Sequence, residues 1–275
     1  NIFKALYKEE NVEFVPYFDQ QKNKQIATYI SGVNGNKLMC ESNQKPFSKD
    51  NNKKIKKFKK PKNTESFEPD HSKPDMCVKF GDSSIDTLDL TFSLNDVILV
   101  NNFMHQEEKD TFFNILLDEI NVCTEKNPDL WKLWHGDTHL IADDHLNWKE
   151  ECPTFNMVLE KIKSFFNMKI KATRFNWYKD TSQWKPYHHD AAAIKPHVAK
   201  VQNLTVGISF GAERDAAFEH AKTNTRISIP QPNGSLYAFG NKVNLEWKHG
   251  IPQLPPEKQS NNGRISVIAW GWVDM

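Results

Sequence analysis

The chain has 275 residues, 38% of them hydrophobic, and its 36 Lys and Arg against 35 Asp and Glu leave a formal net charge of +1. That content suffices for one large core or a domain with an extension, and a balance so near neutral excludes a uniformly basic surface, so any nucleic-acid contact must be local. Cys40, Cys77, Cys123 and Cys152 form no C-x-x-C pair, no apolar run approaches the roughly 20 residues of a membrane span, and no hydrophobic signal region opens the chain; together these argue against a zinc ribbon and a membrane partner and for a reducing, intracellular setting in nucleus or cytoplasm.

In chain order, 12–17 and 25–31 carry the β-branched and aromatic content of strands, so residues 1–40 read as a small substructure of unassigned role. Residues 41–75 follow, dense in Lys, Asn, Ser and Pro. Lys53, Lys54, Lys56, Lys57, Lys59, Lys60 and Lys62 crowd into this stretch, which has too little apolar surface to offset its ordering entropy. It reads as a linker or mobile arm, either a solvated spacer or a phosphate-binding or nuclear-import segment. A folded domain is expected from 76 to 275.

That domain opens with two amphipathic helices. Residues 106–120 align Phe112, Phe113, Leu116 and Ile120; residues 154–166 align Phe155, Val158, Leu159, Ile162 and Phe166. Both are expected to pack outside a β core as scaffold. The segment between them, 131–148, reads as a loop holding Trp131, Trp134 and Trp148 with His135, His139 and His145. Its indoles either stack on a substrate ring or pack against the core, and His135, Asp137, His139, Asp143, Asp144 and His145 are a weaker candidate for a second metal site.

The last third is rich in strand signals. In 169–178, alternation places Arg174, Asn176 and Tyr178 on one face and Phe175 and Trp177 on the other. After a polar turn, 184–190 brings His188 and Asp190 to the same side and turns His189 away. Short runs at 203–210, 217–221, 226–229, 235–239, 245–249 and 264–272 follow, separated by Gly, Pro and Asn signals such as Pro230-Gln-Pro-Asn-Gly234 and Asn262-Gly263. Many short punctuated strands with flanking helices predict a mainly β protein with a sandwich or jelly-roll core.

Such a core can gather His188, Asp190 and His249 with Arg264. Two histidines and a carboxylate on one face of an octahedral Fe(II) leave three positions open for a cosubstrate and O₂. Arginine adds a planar fork suited to a dicarboxylate such as 2-oxoglutarate. H-x-D alone is weak, since a chain of this composition yields about one chance match, and His135-Gly136-Asp137 is a second one. No arginine follows that second match closely. His220 with Arg226 is a competing distal pair, but His249 follows a tryptophan and precedes the arginine-bearing strand. Trp270 and Trp272 share the face of Arg264, where they wall its pocket or fill the core.

Asn176-Trp-Tyr178, His188-x-Asp190, Ser209-Phe-Gly-Ala-Glu-Arg214 with Phe218, Asn233-Gly-Ser-Leu-Tyr-Ala-Phe-Gly240, Trp247-Lys-His249 and Arg264-Ile-Ser occur in this order, and from about Asp96 onward the chain resembles the AlkB family of Fe(II)/2-oxoglutarate dioxygenases. The resemblance implies a double-stranded β-helix. It implies Fe(II) held by His188, Asp190 and His249, and 2-oxoglutarate held by Arg264 with help from Asn176 and Tyr178. The implied reaction oxidises a C–H bond with O₂ and releases succinate and CO₂; if the carbon is an N-methyl group, formaldehyde follows. The implied substrate is a modified base in DNA or RNA, with Trp131, Trp134 or Trp148 as the stacking residue. One departure is Trp270, which stands six residues after Arg264 where the family usually carries a second arginine. Two other readings remain at this point: a hydroxylase of a protein side chain or small molecule, and a jelly roll that only binds.

Overall fold

The computed structural model describes residues 12–19, 24–35, 75–89, 91–104, 109–134 and 138–274. The expected lysine-rich arm, up to residue 74, and the His135–Asp137 match lie outside the described residues. The chain divides into two units, 1–58 and 59–275. In the first, β1 (Val12–Asp19) and β2 (Lys24–Gly32) pair antiparallel, with an irregularity between Glu13 and Val15.

The second unit is a double-stranded β-helix with helices against one face. Its strands are β3 (Cys77–Phe80), β4 (Asp96–Val100), β5 (Trp131–Leu133), β6 (Leu140–Ala142), β7 (Lys169–Tyr178), β8 (Lys185–His188), β9 (Leu204–Gly211), β10 (Arg214–His220), β11 (Arg226–Gln231), β12 (Leu236–Gly240), β13 (Trp247–Ile251) and β14 (Arg264–Trp272). An eight-stranded sheet runs β3-β4-β12-β9-β14-β7-β6-β5, and a four-stranded sheet runs β11-β10-β13-β8. The helices are α1 (Lys109–Lys126), α2 (Pro153–Phe166) and the short α3 (Pro196–Ala199) and α4 (Asn241–Glu246). No described helix is long and apolar enough to cross a membrane.

The large sheet is covered on both faces, so its central strands are buried throughout and alternation sorts residues between two apolar layers. In β4, Ile98 and Val100 face the helix layer with Phe155, Phe175 and Val267, whereas Val97 and Leu99 face the other sheet with Phe218, Phe239 and Ile268. Helix α2 begins with Pro153 in its first turn and ends at Asn167. There a left-handed conformation (φ 47°) turns the capping N–H back to the Lys163 and Ser164 carbonyls. Its buried stripe is Phe155, Val158, Ile162, Phe165 and Phe166.

Three expectations change. Residues 131–148 are not wholly a loop: β5 and β6 form a hairpin that extends the large sheet beyond β7, with Ile141 opposite Asn176. The strand expected over 245–249 starts at Trp247, because 241–246 coil into α4 and bury Val243 and Leu245 with a spacing that mimics strand alternation. Helix α1 runs on to Lys126, six residues past its expected end. Pro230 lies within β11, which tolerates it because β11 is an edge strand.

Trp148 is fully buried, its ring 4.8 Å from Phe155 and 5.9 Å from Phe175. Truncation here leaves a cavity that the rigid sheet cannot close. Trp148→Ala is expected to cost about 3–5 kcal/mol of unfolding free energy, read by urea denaturation; a loss under about 1 kcal/mol would contradict this packing.

Candidate metal site

β8 and β13 pair antiparallel with His188 directly opposite His249, and their ring centroids are 4.4 Å apart. Asp190 follows β8 at the start of a short turn, where its backbone N–H donates to Asn244 Oδ1 (2.9 Å). All three side chains are buried. The potential ligand atoms lie within 4.8 Å of one another, so sub-ångström adjustments bring each to about 2.1 Å from a single ion. This is the one such cluster among the described residues.

Hydrogen bonds prepare these atoms for a metal. His188 Nδ1–H donates to the Pro186 carbonyl (2.9 Å), which leaves Nε2 as a lone-pair donor 3.8 Å from Asp190 Oδ1. His249 Nε2 lies 3.6 Å from the same oxygen. The other oxygen, Oδ2, accepts from Thr205 Oγ1 (3.0 Å) and from the Trp270 indole N–H (2.8 Å). One carboxylate oxygen is thus occupied and the other is free to ligate. Burial pushes the Asp190 carboxyl up, yet His249, His188 and the Trp270 indole hold it well below the usual carboxylate range. Burial and the neighbouring His249 push His188 well down, so it is a neutral ligand. His189 turns away, donating from Nδ1 to the Asn244 carbonyl (2.5 Å). His220 bonds Thr223 and faces Trp247, outside the cluster.

Beside this cluster, Arg264 opens β14 opposite Tyr178 of β7 and Gly211 of β9, and Ser266 lies opposite Asn176 and Ser209. Gly211 has φ +85°, and a Cβ there would sit 2.4 Å from the Gly263 carbonyl, so glycine is required where the strand turns beside Arg264. Arg264 is 1% exposed; its Nε–H donates to Ser209 Oγ (2.8 Å) and its guanidinium lies 5.2 Å from the Tyr178 ring centre. Its Nη1 and Nη2 are buried without a hydrogen-bond partner among the described residues. A desolvated guanidinium with two unmet donors is a costly arrangement unless an anion completes it, and a carboxylate fits its fork. Desolvation raises the Tyr178 hydroxyl to about 12, against the pull of Arg264 and Arg214, so it remains a neutral donor. Arg214 is spent on backbone carbonyls of Thr181, Gln183 and Pro252 and is structural.

A cavity of about 240 Å³ borders the triad, lined by Trp134, Arg174, Lys185, Gln202 and Trp270 together with His188 and Asp190. Trp134 stands edge-on to His188 (5.2 Å), with the Lys185 ammonium over its ring (4.9 Å). Desolvation lowers that ammonium to about 8, against the favourable charge of Asp190. Of the three candidate stacking residues, only Trp134 borders the cavity. Trp148 is core, and Trp131 packs on Phe175 and Trp177 (5.9 and 5.0 Å), because the β5–β6 hairpin folds its indole against β7. Asp143 pairs with Lys132, and Asp144 pairs with Lys149 and Arg174, which spends the two acids of the second suggested metal cluster that lie among the described residues.

Sequence reading missed Thr205, Lys185 and Asn244, and placed His139 only in a second metal cluster. Thr205 reaches Asp190 because it pairs with Trp270 across β9 and β14, a register that no local pattern shows. Asn244 had no local signal either, because it reaches Asp190 from a distant helix. The Trp270 indole is a donor that steadies Asp190. Trp270→Phe removes that N–H while keeping the ring, and the Kd for Mn(II), read by titration calorimetry, is expected to rise about tenfold. An unchanged Kd would show that the contact does not steady the carboxylate.

Comparison with protein families matches residues 132–269 to the 2OG-Fe(II) oxygenase superfamily. No curated protein matches. Among solved structures, the chain is similar to "The structure of OsALKBH1" at 13% identity and a TM-score of 0.43, over 63% of this chain and 97% of that one. The family match spans half of the chain and contains the whole His-Asp-His cluster and Arg264. This chain belongs to the 2OG-Fe(II) oxygenase superfamily and is a dioxygenase that uses Fe(II), 2-oxoglutarate and O₂.

Proposed function

We propose that this oxygenase oxidises a C–H bond on a modified base of DNA or RNA, with residues 76–275 as the AlkB-like catalytic domain. The observation that carries this reading is the composition of the cavity beside the triad: two indoles, Trp134 and Trp270, share its wall with two cations, Arg174 and Lys185. An aromatic face recognises a base by stacking, and cations at its edge meet a nucleotide's phosphate. The lysine-rich segment at 41–75 adds a local positive charge that the near-neutral whole does not have.

In this reading His188, Asp190 and His249 hold Fe(II). The two unmet donors of Arg264 hold the distal carboxylate of 2-oxoglutarate, with Ser209 fixing the Nε side of the fork and Tyr178 supplying its neutral hydroxyl. Asn176 contributes from the same strand face as Tyr178. The bound iron and cosubstrate supply the oxidant that hydroxylates a C–H bond, with succinate and CO₂ as coproducts. The protein's own part is geometric. Trp270 and Thr205 keep Asp190 to one ligating oxygen, the buried walls exclude water, and Trp134 stands where a ring can be held against the metal side.

The test is succinate formation from 2-oxoglutarate with Fe(II), with and without methylated DNA and RNA oligonucleotides. Stimulation by one oligonucleotide with matching formaldehyde release is expected. Steady turnover that no oligonucleotide stimulates would move the substrate to a protein side chain or small molecule. His188→Ala is expected to abolish turnover, whereas His189→Ala keeps most of it; the reverse would overturn the ligand assignment. Trp134→Ala is expected to weaken oligonucleotide binding by about 1–3 kcal/mol, read by fluorescence anisotropy, with Trp131→Ala showing no comparable loss.

A further inference from the structure

His139 is a fully buried titratable group near the site that the mechanism above does not use. It is 0% exposed, just ahead of β6, where its carbonyl accepts from the Trp134 N–H (2.9 Å) and closes the β5–β6 hairpin. Its ring lies in a stack between Trp134 (5.4 Å, 29°) and Tyr178 (4.6 Å, 11°), and Tyr178 in turn lies beneath Arg264. Its Nε2 is 3.2 Å from Asn176 Oδ1.

The hydrogen bonds around Asn176 settle which partner donates. Asn176 Nδ2 donates to the Ser266 carbonyl (3.1 Å), so the atom facing His139 is the amide oxygen, which only accepts. The bond to Asn176 therefore needs the His139 proton on Nε2; Nδ1 lies 3.1 Å from Thr138 Oγ1, whose hydroxyl donates to the Trp134 carbonyl (3.0 Å). Desolvation, reinforced by the charge of Lys185, lowers its pKa to about 3, so the ring is neutral with a single proton to place. A free Asn amide at the end of a strand side chain has two nearly equivalent orientations; here both ends are claimed, and one amide hydrogen is left over.

We propose that His139 is a positioning residue of the cosubstrate pocket. Its Nε2–H holds the Asn176 amide with the nitrogen, and its remaining hydrogen, on the side of β14, the strand that carries Arg264. This rests on the reading that 2-oxoglutarate occupies that pocket. Without the histidine donor, the Asn176 oxygen loses its partner and only the Ser266 carbonyl still holds the amide, so its remaining hydrogen is less firmly aimed into the pocket.

Two substitutions separate the donor from the ring. His139→Phe keeps the stacking surface and deletes the N–H. His139→Gln loses the ring but places an amide N–H where Nε2 was. With Mn(II) in place of iron, so that no turnover occurs, 2-oxoglutarate binding is measured by titration calorimetry, and Mn(II) binding and melting temperature are measured alongside. His139→Phe is expected to weaken 2-oxoglutarate roughly three- to tenfold, the range of one net hydrogen bond, with Mn(II) affinity unchanged. His139→Gln is expected to stay within about twofold of the parent, and in turnover the effect of the Phe variant falls on the KM for 2-oxoglutarate rather than on kcat. Parent-like binding by His139→Phe, or equal loss in both variants, would show that the residue only fills space. Arg264→Gln serves as the reference: if it abolishes binding while His139→Phe does not weaken it, the pocket assignment stands and the role of His139 falls. If the parent itself does not bind 2-oxoglutarate, both fall.

Discussion

Everything at this site depends on one buried carboxylate. Asp190 is removed from water, which opposes its charge, and stays ionised because two imidazoles and an indole N–H surround it. The distribution of those partners matters as much as their number. Thr205 and Trp270 take one oxygen, so the remaining oxygen points toward His188 and His249. A buried anion with a single unsatisfied oxygen between two imidazoles has little use except to bind a cation, and that requirement explains why three elements far apart in the chain converge on it.

The fold supplies the precision. Antiparallel register between β8 and β13 sets the two histidines opposite one another, and the register of β14 against β7 and β9 sets Arg264, Ser266 and Trp270 opposite Tyr178, Asn176 and Thr205. Ladder hydrogen bonds allow only whole-residue slips, and a slip of one would turn every inward residue outward, so the site is specified by pairing rather than by individual side chains. Helices α1 and α2 take no part in the chemistry. They cover the outer face of the large sheet and make its strands rigid enough to hold an unpaired guanidinium in place.

Aromatic residues divide by layer. Trp148 and Trp131 belong to the helix-facing core, while Trp134, His139 and Tyr178 form a stack from the cavity wall to the arginine pocket. Trp270 belongs to both sides, since it lines the cavity and donates to Asp190. The cavity wall also carries two basic side chains, Lys185 and Arg174, the latter paired with Asp144.

Much of this was legible in the residues alone. Period-2 alternation placed Arg174, Asn176 and Tyr178 on one face and separated His188 from His189, and the Gly, Pro and Asn punctuation announced a β core with two flanking helices. These are local properties, carried by the geometry of a pleated strand or a helical turn, and a linear pattern contains them. The roles of the three tryptophans in 131–148, the Asn244 bonds to the Asp190 backbone and the donor from His139 to Asn176 were decided only by tertiary structure. Each depends on which strand pairs with which and in what register, a choice made by long-range hydrogen bonding and burial that no window of neighbouring residues encodes.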